Sequence, residues 1–143
     1  MLIRNILEES VRKFDEVKAV KWLKKKEIME RSYGELMENV VSTRKGLLAE
    51  GFEGKHIALI GTSSVEWMES YLGIITGCTT AVPLDAALPC EDLIDLLNRS
   101  DSAALFLSPK LKPYLDAFLE NCPKLQKVWM LQEEVEDAPA KVY

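Results

Sequence analysis

Hydrophobic and polar positions along this chain follow two different periods, and each change of period predicts a new secondary-structure element. Residues 3–14 place apolar side chains at intervals of three and four, which predicts an amphipathic helix. Residues 19–23 and 28–31 are short strand-like runs on either side of Lys24-Lys25-Lys26. This arrangement predicts a β-hairpin with a solvated lysine tip, since so small a basic patch favours solvation over phosphate binding.

The second helix is predicted by signals at both of its ends. Ser32 and Glu35 have the spacing of a capping box, in which each side chain accepts a hydrogen bond from the backbone N–H of the other residue. Gly51 can adopt the left-handed conformation that ends a helix. The apolar residues expected on its buried face are Tyr33, Leu36, Met37, Val40, Val41, Leu47 and Leu48.

Residues 55–85 predict a strand, a polar turn, a helix and a second strand closed by Pro83. The apolar run 56–60 is typical of a strand buried on both faces of a parallel sheet. Ser63 and Glu66 are predicted to form a second capping box, which begins the helix. The spacing of one helical face predicts core rather than a lipid or cofactor groove: Trp67, Met68, Tyr71, Leu72 and Ile75.

The remaining segments continue the alternation of helix and strand. Pro89 is expected at the first position of a helix, and Ser108-Pro109 at the start of another. Residues 103–107 are predicted to form a strand between these two helices, and residues 128–131 are predicted to form a last strand after the second helix. We therefore expect an α/β fold with three layers, in which a mostly parallel sheet carries helices on both faces beside the small N-terminal hairpin.

Composition limits the kinds of protein this chain can be. Its 143 residues carry a net charge of −5, are 48% hydrophobic and 29% charged, and suit one globular domain. The domain is expected over residues 1–131, with an acidic tail or end over 132–143. A negative balance argues against a nucleic-acid partner, and the most apolar stretch is too short for a transmembrane segment.

Cysteine usage and the N-terminus indicate where the protein resides. Cys78, Cys90 and Cys122 are odd in number, widely spaced and without a C-x-x-C pair. This pattern favours reduced thiols over a disulfide framework or a zinc site. The first ten residues carry charges and lack the apolar core of a signal peptide. We therefore predict a cytoplasmic protein.

The turn Gly61-Thr62-Ser63-Ser64 is the best-placed candidate site. Backbone amides at a helix N-terminus, together with hydroxyl groups, could hold an anion. The turn matches neither of the glycine-rich phosphate-binding patterns, however. The favoured interpretation is a capped turn whose hydroxyls satisfy the first N–H groups of the helix.

Two other residues, His56 and Asp85, carry side chains that can take part in chemistry. His56 is the only histidine and begins a predicted strand, so neither a metal cluster nor a Ser-His-Asp triad is indicated. Asp85 ends a strand, as a metal-binding acid does in receiver domains. Such domains need acidic residues after the first parallel strand as well, and Gly61-Thr62 stands there instead.

Five phrases along the chain carry a resemblance to a known family. The order SYGEL, GLLAEGFEGKHIALIG, SVEW with YLGIITG, AVPLD with LP, and LLNRSDSAALF resembles the opening of the adenylate-forming enzymes, the AMP-dependent synthetases and ligases. The resemblance runs from about Leu2 to Leu131 and is greatest to bacterial long-chain fatty acyl-CoA synthetases. None of the five phrases is catalytic.

The resemblance implies a parent enzyme that uses ATP, Mg²⁺ and coenzyme A. Such enzymes join a carboxylic acid to ATP, release pyrophosphate and pass the acyl group to coenzyme A. Their phosphate loop of Ser, Thr and Gly ending in lysine, their aromatic-Gly-x-Thr-Glu motif and their C-terminal lysine have no counterpart here. We therefore assign no catalytic, cofactor-binding or metal-binding residue, and we expect the chain alone to be inactive.

Several interpretations of the chain stay open at this point. It is expected to be the N-terminal part of the large domain of a fatty acid–CoA ligase, whose partner is the remainder of that enzyme. An amino-acid-activating adenylation domain, a free-standing module that binds a small anion at 62–64, and a non-catalytic interaction subunit are the alternatives. An exposed flank, with Trp129 on the last strand, is predicted to support self-association.

Overall fold

The protein, described here by a computed structural model over residues 2–132, is built around a four-stranded parallel sheet of order β4-β3-β5-β6. A two-stranded antiparallel hairpin, β1-β2, stands beside it. The helices are α1 (Ile3–Phe14), α2 (Tyr33–Ala49), α3 (Val65–Ile75), α4 (Cys90–Arg99) and α5 (Leu115–Asn121), with a 3-10 helix at Pro109–Tyr114. The strands are β1 (Lys18–Lys24), β2 (Glu27–Ser32), β3 (His56–Ile60), β4 (Thr80–Leu84), β5 (Ser102–Leu107) and β6 (Lys127–Met130).

Two apolar cores lie on opposite faces of the sheet, because successive side chains of a strand point to opposite sides. Ala58 and Ile60 face a core that α4, the 3-10 helix and α5 complete. Ile57 and Leu59 face a second core that includes residues of α2 and α3. β3 and β5 are therefore covered on both sides, which confirms the predicted three-layer α/β architecture with its N-terminal hairpin.

The hairpin forms where the lysine run was expected to turn the chain. Lys25 and Lys26 have φ of 47° and 69°, and this left-handed pair gives the tight two-residue connection that suits twisted strands. On the inner face of the hairpin, Arg31 covers the ring of Trp22 at 5.3 Å. Arg31 also forms an ion pair with Glu69 of α3, which ties the hairpin to the helical layer.

The ends of α2 follow the sequence signals. Ser32 accepts a hydrogen bond from the Glu35 N–H at 3.1 Å, and the Glu35 carboxylate accepts one from the Ser32 N–H at 2.7 Å. Gly51 adopts φ +80° just after the helix, so both predicted boundaries are confirmed. The predicted face is wrong at one position, because Leu48 turns outward and is 54% exposed.

The buried face of α3 differs from the predicted one. Glu69, Ser70, Gly73 and Ile74 are buried, whereas every residue of the predicted set is only half-buried. The reason is that α2 packs closely on α3 as well as on the sheet: a side chain at Gly73 would lie 2.6 Å from the Cβ of Thr43. The small residues of α3 thus turn toward α2, which a stripe of apolar residues does not reveal.

Prolines shift two later boundaries. Pro89 is the N-cap of α4 rather than its first residue. Ser108-Pro109 does begin a helix, but its first part is 3-10. Pro113 lies inside that segment, and because it has no N–H it cannot form the α-helical hydrogen bond back to Pro109. The α-helical geometry begins only at Leu115.

The predicted acidic tail over 132–143 lies outside the described residues except for Gln132. Within residues 2–132, no helix has the length and apolarity needed to cross a membrane.

Candidate functional site at the carboxyl edge of the sheet

The connections after β3 and β5 leave the sheet toward opposite faces. β3 leads to α3, which covers one face, and β5 leads to the 3-10 helix and α5, which cover the other. In open α/β sheets such a point, between neighbouring strands whose connections diverge, is where a crevice for ligands opens. The residues that follow these two strands, 61–64 and Ser108, therefore define the candidate site.

The turn after β3 is capped by Ser64 and not by Ser63. The Ser64 hydroxyl accepts a hydrogen bond from the Trp67 N–H at 3.1 Å, and Ser64 has the extended backbone of an N-cap. The predicted capping box of Ser63 and Glu66 is therefore wrong by one residue. Glu66 instead accepts a hydrogen bond at 2.9 Å from the side chain of Gln132.

The crevice between β3 and β5 is filled by Ser108. Its N–H donates to the carbonyl oxygen of Ile60 at 2.9 Å, which brings the end of β5 against the end of β3. Its hydroxyl lies over Gly61, where an added Cβ would be 2.1 Å from Oγ. The space that a ligand would enter is thus occupied by the protein's own side chain, and Gly61 permits this contact because it has no Cβ.

The Ser108 hydroxyl is buried and has no hydrogen-bond partner among the described residues. Such a group destabilises the fold, because it loses its hydration without gaining a replacement. The sequence suggested Ser108 only as a helix N-cap, yet its side chain makes no capping hydrogen bond. Its contact with Gly61 depends on strand pairing, so local sequence carried no signal for it.

The exposed part of the turn offers little to a ligand. Thr62 and Ser63 are exposed, while the capping hydroxyl of Ser64 is already engaged. At the end of β4, the Asp85 carboxylate accepts a hydrogen bond from the Ala87 N–H at 2.9 Å, which is the geometry of an Asx turn. Both predicted candidates at this edge therefore serve the local backbone.

His56 lies at the opposite edge of the sheet from the turn. It is the first residue of β3, and its Nδ1 lies 2.7 Å from the carbonyl oxygen of Ser100. Asp101 follows in a left-handed conformation with φ 52° and pairs with Lys124. The hydrogen bond from Lys124 holds the pKa of Asp101 below its usual value. The structure therefore brings neither Ser63 nor Asp85 near His56.

Two of the three cysteines have the properties of structural thiols, whereas Cys78 is exposed. Cys122 is buried and Cys90 is half-buried in the core beneath α4 and α5. Burial raises the pKa of both thiols, which disfavours the reactive thiolate. Among residues 2–132, no three His, Cys, Asp or Glu side chains are grouped so that they could hold a metal ion.

The fold and this edge define an open, parallel α/β domain of the kind that enzymes use to build nucleotide sites. The chain belongs to the AMP-binding enzyme family, whose model matches residues 7–142. It corresponds to an N-terminal segment of that family. Among curated protein sequences, none matches the chain significantly.

Solved structures of ligases share the fold. A coronafacic acid ligase from Pectobacterium brasiliense matches with TM-score 0.86 and 20% identity, over 99% of this chain and 28% of that chain. An anthranilate CoA ligase in complex with anthranoyl-AMP matches with TM-score 0.81 and 18% identity, over 92% and 25%. A protein assigned as a long-chain-fatty-acid CoA ligase from Rhodopseudomonas palustris matches with TM-score 0.82 and 11% identity, over 99% and 34%. The present chain thus spans about a quarter to a third of these structures.

Proposed function

We propose that this chain forms the N-terminal part of the large domain of an ATP-dependent, AMP-forming acyl-CoA ligase that acts on fatty acids in the cytoplasm. The observation that carries the proposal is the family match over residues 7–142. The reaction would form an acyl-adenylate and pyrophosphate from a carboxylic acid and ATP. It would then transfer the acyl group to the thiol of coenzyme A, with release of AMP.

The described residues fit a structural role in that enzyme better than a catalytic one. Adenylyl transfer needs positive charge held around the phosphates. The candidate turn carries no lysine or arginine, and its crevice is filled by Ser108 over Gly61. ATP, Mg²⁺ and coenzyme A would therefore be bound by residues outside this segment. The segment would supply the rigid sheet against which the rest of the enzyme packs.

The choice of a fatty acid rests on the sequence resemblance to long-chain acyl-CoA synthetases. Relatives with the same fold are named for anthranilate and coronafacic acid, so the acid is the part of the proposal that needs the broadest test. An amino-acid-activating enzyme would share the adenylation step and differ in the acid and the acceptor.

The experiment is a release assay for pyrophosphate with ATP, Mg²⁺ and coenzyme A. The panel would be long-chain fatty acids, aromatic acids, cyclic acids and amino acids. Residues 1–143 alone should match a heat-denatured sample with every acid. If the reading frame continues beyond Tyr143, the longer polypeptide should release pyrophosphate with long-chain fatty acids.

The outcomes separate the alternatives. If the longer polypeptide were active with amino acids only, the substrate would be an amino acid and not a fatty acid. A stop codon after Tyr143, with ATP or coenzyme A bound by the chain and lost in Thr62→Ala, would favour a free-standing binding module. Activity that appears only when a separate protein is added would favour a non-catalytic subunit.

A further inference from the structure

The outer face of the β1-β2 hairpin presents two large apolar side chains to solvent. Leu23 and Ile28 are directly opposite each other in the strand register, and they are 70% and 74% exposed. Their neighbours on that face are Lys21 and Glu30, which form an ion pair with an N···O distance of 3.6 Å. The opposite face carries Trp22 and contacts the body of the protein through Arg31. Leu23 and Ile28 are thus the most exposed apolar pair of the hairpin.

The hairpin is also the most basic part of an acidic protein. Residues 18–31 contain six basic residues and two acidic ones, whereas the whole chain carries a net charge of −5. Lys24, Lys25 and Lys26 follow Leu23 directly, and the left-handed turn at 25 and 26 holds them at the tip. The apolar pair and the lysines therefore lie together at the tip of the hairpin.

We infer that this hairpin tip binds the surface of an anionic lipid bilayer. Lysines near an anionic membrane are attracted to its headgroups, and adjacent apolar side chains can enter the boundary between headgroups and acyl chains. A lipid surface fits better than a protein partner or a second copy of this chain. Stable protein interfaces bury roughly 800 Å² per partner, far more than two side chains at a hairpin tip offer. This inference does not depend on the proposed enzymatic function, and in a longer polypeptide it requires the hairpin tip to remain uncovered.

The lysines can be removed without disturbing the turn. Lys25→Asn with Lys26→Gly creates the Asn-Gly pair that two-residue hairpins of this geometry prefer, so the hairpin should persist. Co-sedimentation would be measured with phosphatidylcholine vesicles that contain or lack phosphatidylserine. The parent chain should bind the anionic vesicles, and the double variant should bind them roughly thirtyfold more weakly, since two charges are lost.

The apolar pair is tested separately. Leu23→Thr with Ile28→Thr keeps residues that favour strands and should weaken binding to the anionic vesicles by at least about tenfold. The matched controls alter the same residue types elsewhere: Lys110→Gln with Lys112→Gln on the 3-10 helix, and Leu48→Gln on α2. Both controls should bind as the parent does.

Two results would overturn the inference. The first is a parent chain that sediments no more with anionic vesicles than with neutral ones. The second is a pair of hairpin variants that both bind the anionic vesicles as well as the parent does. If those variants also convert an oligomer to a monomer in light scattering, the tip is a contact between copies of the chain. Circular dichroism of each variant would establish that it is folded.

Discussion

Replacing Gly61 with alanine tests whether the end of β5 closes the crevice as described. The new Cβ would lie 2.1 Å from Oγ and 3.0 Å from Cβ of Ser108, and 3.3 Å from Cδ1 of Trp67. Gly61 does not have a positive φ, so alanine suits its backbone and the effect is one of packing. Inserting a methyl group into a filled site of this kind costs about 1–3 kcal/mol. We expect Gly61→Ala to lower the free energy of unfolding by about 2 kcal/mol.

The cost should depend on Ser108, because its hydroxyl is the nearest obstacle. Ser108→Ala alone removes a buried hydroxyl that has no partner among residues 2–132, and should raise stability by about 1 kcal/mol. In the Ser108→Ala background the 2.1 Å contact is gone, and only the contacts of 3.0 Å and 3.3 Å remain. We therefore expect Gly61→Ala to cost about 1 kcal/mol less there than in the parent.

Urea unfolding followed by circular dichroism and tryptophan fluorescence would measure the four free energies of this cycle. Gly46→Ala is the matched control, since an added Cβ at that position of α2 meets nothing within 4 Å. It should stabilise the protein by about 1 kcal/mol, as alanine does in helix interiors. A Gly61→Ala variant as stable as the parent, or a cost equal in both backgrounds, would refute the proposed contact.

Substitutions at three further features give additional tests. Glu69→Ala should lower the free energy of unfolding in urea by about 3 kcal/mol, because it leaves the Arg31 guanidinium without its carboxylate partner. Glu69→Gln should cost less, since an amide can still make polar contacts. Equal costs for the two variants would refute a role for those contacts. Ser64→Ala should cost about 1 kcal/mol, and Ser63→Ala should be close to neutral; the reverse order would place the cap at the earlier serine. The pKa of Asp101 is lowered in the folded protein, so its contribution to stability is complete above the pKa of the unfolded state and is lost as pH falls through the folded pKa. Lys124→Ala should therefore make stability fall less steeply in that acidic range. A pH profile of stability unchanged by Lys124→Ala would refute the pairing.

Local signals in the sequence predicted the elements well. The Ser32–Glu35 capping box depends only on neighbours three residues apart, and the structure confirms it. The apolar run 56–60 requires burial on both faces, which a central strand of a parallel sheet provides. Both features are decided within a few residues, so the chain itself carries the information.

Features that depend on distant parts of the chain were not predictable in the same way. The buried face of α3 is turned because Gly73 meets Thr43 on another helix, and the polar residue Glu69 is buried because Arg31 of the hairpin reaches it. Prediction of the candidate site from the sequence was limited for the same reason. A turn of small polar residues after β3 favours a helix cap over an anion site, but it does not show that Ser108 lies against Gly61.

The strand order also governs how the chain can acquire its structure. β3 and β4 are joined by one helix and can pair early, since little chain must be closed between them. β5 pairs with the other side of β3, and the whole α3-β4-α4 segment lies between these two strands in the sequence, so a longer stretch of chain must be closed. Contacts so distant in sequence slow folding and leave a half-made sheet exposed meanwhile. During synthesis, β3 would thus remain open along one edge until β5 has emerged from the ribosome.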